Sequence, residues 1–223
     1  MSIAMSPTSA ATSADPTAIA DELRSLARCG DYQLMLRRSE QIARAAAETS
    51  DRVTSVTELM QLTDEGPVVG LMAIEALGRV PHGLADEALV DLLLHPDRNL
   101  RRHASWRLGD RRPTVRAIPA LVDRLVLGGI DTMHAHRTLR AWARAGADPI
   151  VHSIARHGIG RLRDATQPDE RARLIDLLGT LGADATDELS HVLSHVAADD
   201  REHAAARTAA IAALGERRDA RTD

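Results

Sequence analysis

DRNLRRHASWRLGD, residues 97–110, carries a helical pattern that ends on Leu108-Gly109. That ending recurs along the chain, on Leu77-Gly78, Ala145-Gly146, Leu181-Gly182 and Leu214-Gly215. The intervals between the five glycines are 31, 37, 36 and 33 residues. A fixed ending at such a period is the signature of stacked helix pairs. One pair has no partner for its apolar face, so neighbouring pairs stack into a continuous core.

Working outward, breakers divide the chain into pairs. The first is expected at about 51–62 and 68–77, split by Gly66-Pro67, and the second at about 85–94 and 99–108, split by His95-Pro96-Asp97. The third is expected at 115–127 and 131–145, split by Gly128-Gly129. The fourth spans 149–164 and 168–181, with Gly158 and Gly160 as candidate breaks inside its first helix. The last spans 185–196 and 200–214. Breakers fall between most helices and seldom inside them, and no period-two strand pattern competes. Ahead of these, helices over 16–28 and 32–48, with Gly30 as the stop between them, form a cap. The Ser-, Ala- and Thr-rich residues 1–15 read as a disordered tail. The expected organisation is a tail over 1–15, a helical cap over 16–50, a solenoid over 51–217 and a short tail over 218–223.

Apolar residues make up 44% of the 223, enough for a sizeable core. There is no Phe, one Tyr (Tyr32) and two Trp (Trp106, Trp142), so the core is Ala, Leu, Val and Ile. These side chains suit closely packed helices. Every basic side chain other than histidine is Arg, a bias that points to a high-GC bacterial genome. Net charge is −4, which gives no global attraction to nucleic acid. The average hides an asymmetry: residues 98–144 carry a balance of +8 and the remainder −12. A local excess of that size can mark a binding surface. Cys29 is alone, so no intrachain disulfide forms and a reducing cytoplasm is expected. The N-terminus has neither a basic region nor a long apolar run, and no stretch is apolar enough to cross a bilayer.

The chain resembles HEAT repeats, in particular the short bacterial type named for phycobilin lyases. Second helices of that type carry a D-x-x-V-R-x-x-A-x-x-A-L-G motif, which Asp97, Leu100, Arg101, Ala104, Leu108 and Gly109 match. Asp200, Ala204, Ala206, Ala210, Ala213, Leu214 and Gly215 match more loosely. The first-helix signature is clearest over 117–125, AIPALVDRL. The resemblance covers about 51–217 and implies an all-α, right-handed α-solenoid of about five helix pairs. It says little about function, because the same repeat serves many roles. Residues 84–146 are also similar to HEAT segments fused ahead of actinobacterial glycosyltransferases. No sugar-nucleotide domain follows, so that likeness implies partnership with such an enzyme, not its activity.

Candidate binding residues cluster on second helices, which in such solenoids line the concave side. Arg98, Arg102 and Trp106 fall at i, i+4 and i+8, and Arg137, Arg140 and Arg144 at i, i+3 and i+7. Read together, they form a basic groove for a partner protein or an anionic ligand; read separately, they are solvated faces with ion pairs within each helix. His103 and Arg107 bring bulk to positions where the repeat prefers Ala, and His136 sits on the same helix as the second arginine set. His134 and His136 are about 200° apart on a helix and cannot share a metal. His191 and His195 are at i, i+4, with Glu188 a turn upstream, but lack a clear third ligand; no metal or cofactor is expected. Trp106, Asp110 and Arg144 are similar in kind to the aromatic and carboxylate sets of HEAT-like alkylpurine DNA glycosylases. Against that enzyme reading, Asp110 follows a helix-ending Gly where repeat loops commonly carry Asp, and aromatics for stacking bases are few. A lyase-like groove is a further alternative. The preferred expectation is a non-catalytic scaffold in a bacterial cytoplasm, accessory to a biosynthetic enzyme, with nucleic acid and membrane disfavoured as partners. Leu108 and Leu121 are expected to be buried, and Glu170 to lie on the surface.

Overall fold

The computed structural model describes residues 15–29, 32–48, 51–146, 148–181 and 187–219. All of its regular structure is helical, with no strand among the described residues. The tail expected over 1–15 lies, apart from Asp15, outside the described residues, as do Gly30, Gly182 and 220–223. The chain divides into two compact units, 1–85 and 86–223.

The first unit holds α1 (Pro16–Cys29), α2 (Tyr32–Glu48), α3 (Arg52–Leu62) and α4 (Pro67–Leu77). The two cap helices pair with each other, and then α1 packs on α3 and α2 on α4. The cap is thus built as a helix pair like those that follow. Local chemistry sets the boundaries. The Asp51 carboxylate accepts the Thr54 amide at 3.0 Å and caps α3. Pro67 occupies the first turn of α4, where its missing N–H costs nothing. Leu23, Leu59, Leu62, Ile74 and Leu77 are fully enclosed. Arg24 ties α1 to the α3–α4 turn through a double hydrogen bond to Glu65.

The helix α5 (Gly83–Asp91) begins at the boundary and continues through one 3-10 turn over Leu92–Leu94. The second unit then carries α6 (Arg98–Leu108), a 3-10 turn over Val115–Ala117, α7 (Ile118–Val126), α8 (Ile130–Arg144), α9 (Asp148–Asp164), α10 (Pro168–Gly179), α11 (Asp187–Ala198) and α12 (Ala204–Asp219). First helices stack on first helices, α7 on α9 and α9 on α11. Second helices stack on second helices, in the order α6, α8, α10, α12. Within each unit this two-layer stacking of helix pairs is the α-solenoid construction the periodicity predicts. Leu100, Leu108, Leu121, Ile154, Leu174 and Leu193 lie between the layers, none more than 1% exposed.

Three expectations need correction. The helix α9 runs unbroken through Gly158 and Gly160. Gly158 is buried, and a Cβ there would stand 2.8 Å from Leu178 Cδ2, so this glycine admits α10 instead of ending a helix. The helix α12 likewise continues past Gly215 to Asp219, because Glu216, Arg217 and Arg218 are good helix formers and no breaker follows them at once. Glu170 is not a free surface residue: its side chain is 18% exposed and lies 3.5 Å from Arg161.

Candidate functional site

The sequence motif explains its own geometry. Asp97 Oδ1 accepts the amides of Asn99 at 2.7 Å and Leu100 at 3.3 Å, capping α6. Arg101 Nη1 donates to the carbonyls of His95 and Pro96, closing the turn that precedes the helix. Both motif positions are therefore spent on building the repeat.

Much of the positive excess over 98–144 is spent the same way. Arg98 donates to Asp131 at 2.8 Å, and Arg111 pairs with Asp86. Arg116 pairs with Asp91 at 2.8 Å, and Arg124 donates to the Leu93 carbonyl at 2.6 Å. Each bond joins one repeat to its neighbour. Arg173 repeats the device from outside the stretch, donating to the carbonyls of Leu125 and Val126 at the end of α7. An arginine there satisfies carbonyls that a helix terminus leaves without intrahelical partners.

What remains is a smaller cluster where α6 meets α8. The two helices approach closely at one point. A Cβ on Gly109 would lie 2.9 Å from Thr138 Oγ1, and the buried Thr138 hydroxyl donates to the Ser105 carbonyl at 2.8 Å. Gly109 has a helical φ of −61°, so it is needed there for its missing side chain and not for backbone freedom. One turn back from that contact, Trp106 on α6 meets His134 on α8, ring centroids 6.3 Å apart. His103 sets its ring edge-on to Trp106 at 5.1 Å. The Arg107 guanidinium lies over the indole, 4.3 Å from the ring centroid, within the range where a cation is attracted to the ring face. Arg107 is largely covered, its side chain 14% exposed.

Charge around this aromatic platform is predominantly positive. Arg102 and Arg137 both act on His134. The exposed Asp110 carboxylate lies 3.7 Å from Arg107 and 3.8 Å from Arg137, too far for strong hydrogen bonds. Three guanidiniums against one carboxylate leave a local charge of +2. Burial, Arg102, Arg137 and His103 together push the His134 imidazole below its ordinary value, with Asp131 opposing them. His134 is therefore neutral near pH 7.

The predicted groove residues divide into three groups. Arg102, His103, Trp106, Arg107 and Arg137 come together, and Asp110 joins them. Arg98 stays exposed but is engaged with Asp131. His136 and Arg140 face away, towards α10, where His136 Nε2 lies 3.0 Å from Asp176. The imidazole holds the Asp176 carboxyl below the usual carboxylate range, and Arg140 adds to the effect. Arg144 is exposed near the C-terminus of α8, where a cation complements the helix dipole. The opposed directions of His134 and His136 agree with their angular separation. The spacing argument missed His134 as the ring partner of Trp106. Its signal is the interval of four to Thr138, which puts both on the face turned to α6.

Other clefts lie away from this cluster. One of about 330 Å³ runs between α9 and α11, lined by Leu162, Arg163, Arg171, His191, Val192 and His195. Its arginines are engaged, Arg163 with Glu188 and Arg171 with Glu202. Glu188, the third ligand a His191–His195 metal site would need, is thus held by Arg163. No group of three or more metal-ligating side chains occurs among the described residues. In the first unit a cleft of about 380 Å³ opens beside Arg24, Arg28 and the turn at Gly66. No helix among the described residues is long and apolar enough to cross a membrane.

Residues 55–128 match the family model for HEAT repeats. Among solved structures, the chain is similar to an engineered protein, at 20% identity and a TM-score of 0.48, over 94% of each chain. No curated protein matches it.

Proposed function

We propose that this protein is a HEAT-repeat interaction module whose α6–α8 face docks an acidic segment of a partner protein. The observation that carries the reading is Trp106, a partly exposed indole with the Arg107 guanidinium over its face and His134 against its ring, Arg102 and Arg137 acting on that histidine, and Asp110 as the counter-ion near Arg107 and Arg137. An aromatic anchor beside arginines is the composition of a binding hot spot. Arg supplies planar, permanently charged donors suited to carboxylates. The match to HEAT repeats supports an interaction role in general, because stacked repeats present extended binding surfaces. The likeness of residues 84–146 to segments fused to glycosyltransferases makes an acidic stretch of such an enzyme the first partner to test. This reading places the pair in a bacterial cytoplasm.

The test is fluorescence anisotropy with a rhodamine-labelled, glutamate-rich peptide. Replacing Arg102 and Arg137 together with Glu is expected to abolish binding while the helical spectrum and melting point stay nearly unchanged. Wild-type affinity is expected to fall as salt rises, since part of the attraction is screened charge. Full-affinity binding by the double variant would overturn the proposal. A second reading, a nucleic-acid base-removing enzyme, draws on Asp110 and Trp106 belonging to one cluster.

A further inference from the structure

The inference concerns how the α6–α8 face is regulated and rests on the reading just given. His134 stands at the centre of the cluster, against Trp106, and is half-buried. The charged and titratable groups that act on it are Arg102 and His103 from α6 and Arg137 and Asp131 from its own helix. Asp131 is itself engaged by Arg98. The other helices packed on α8 direct their nearby charges elsewhere. Arg124 of α7 bonds the Leu93 carbonyl, Arg161 of α9 pairs with Asp123 and Glu170, and Asp176 of α10 faces His136. His134 is thus a half-buried imidazole among cations, and burial first, then those cations, oppose its protonation.

We propose that an acidic peptide seated across Arg102 and Arg137 binds together with one proton, which His134 takes up. Carboxylates brought to the two guanidiniums neutralise the charges that oppose the imidazolium and add negative charge beside the ring. The ligand therefore raises the proton affinity of His134. By linkage, protonation raises the affinity for the ligand by the same factor. The free protein holds His134 below its ordinary value, so binding strengthens as pH falls through the neutral to mildly acidic range. Each unit by which the ligand raises that value corresponds to a tenfold gain in affinity on the acid side.

The experiment uses the same rhodamine-labelled, glutamate-rich peptide, whose carboxylates stay largely ionised above about pH 5.5. Its dissociation constant is measured between about pH 7.5 and about pH 5.5, alongside the His134 imidazole resonance in the free and saturated protein. Affinity is expected to rise across that range, by at most about tenfold for each unit that the ligand raises the His134 value, with the His134 titration moving upward on saturation. His134→Gln is expected to flatten the pH dependence, whereas His191→Gln leaves it in place. Binding of constant affinity across the range would overturn this inference and leave the docking reading standing. A slope that persists in His134→Gln and disappears in His103→Gln would overturn the assignment to His134. Binding at neither pH would overturn the docking reading and this inference with it.

Discussion

Leu108→Ala tests the repeat register where it is most exposed to error. Leu108 closes α6, is fully buried, and precedes the glycine at which Thr138 makes its close approach. The substitution removes three buried carbon groups, worth about 0.8 kcal/mol each in transfer, or about 2.4 kcal/mol together. The cavity left behind adds to this because stacked helices relax only in part, for a total of about 3–4 kcal/mol. In a unit of this size that corresponds to a loss of roughly 10 °C in melting temperature. Urea unfolding followed by circular dichroism at 222 nm, with Glu87→Ala as the exposed control, measures the difference. The control should stay within about 0.5 kcal/mol of wild type. A Leu108→Ala protein that unfolds at the wild-type midpoint would show that Leu108 does not lie between the layers, and the register would fail.

Three further outcomes follow from the packing and the site. Gly109→Ala sets a methyl 2.9 Å from Thr138 Oγ1 and 3.1 Å from the Trp106 carbonyl, so it should destabilise by about 1–3 kcal/mol; a urea midpoint at or above wild type would contradict the close approach. Glu202→Gln leaves the half-buried Arg171 without its charge partner and should cost about 3 kcal/mol or more, read in the same assay; a cost below about 0.5 kcal/mol would show the pair to be incidental. Alkylated duplex DNA incubated with the wild-type protein should release no bases; release that disappears in Asp110→Asn would favour an enzyme and displace the docking proposal.

The candidate site was only partly legible in the sequence. Trp106, Arg102 and Arg137 are visible as bulky or charged residues on second-helix faces, and they do converge. Arg140 and Arg98 looked equivalent to them by spacing alone. The structure separates them: Arg98 is held by Asp131 of the next repeat, and Arg140 turns towards Asp176, which pairs with His136. The same holds for the positive balance over 98–144. Arg111 and Arg124 contribute to it formally, yet Asp86 and Leu93, which engage them, lie 25 and 31 residues away.

Periodicity and breakers are local properties, and with them the sequence alone determined most of the helices, how they pair and that pairs stack within each unit. Asp51, Pro67 and Asp97 act on the backbone within a few residues, so their effect is readable from the chain itself. Whether a glycine ends a helix or admits a neighbour was decided only in three dimensions. Gly158 and Gly215 look like stops in sequence, but Leu178 fills the space beside the first and α12 continues through the second. The tertiary structure alone also decided which charges are spent and which remain available. A guanidinium's partner is one repeat away along the chain and adjacent only once the repeats stack, so stacking is what leaves Arg102, Arg137 and Trp106 together around His134.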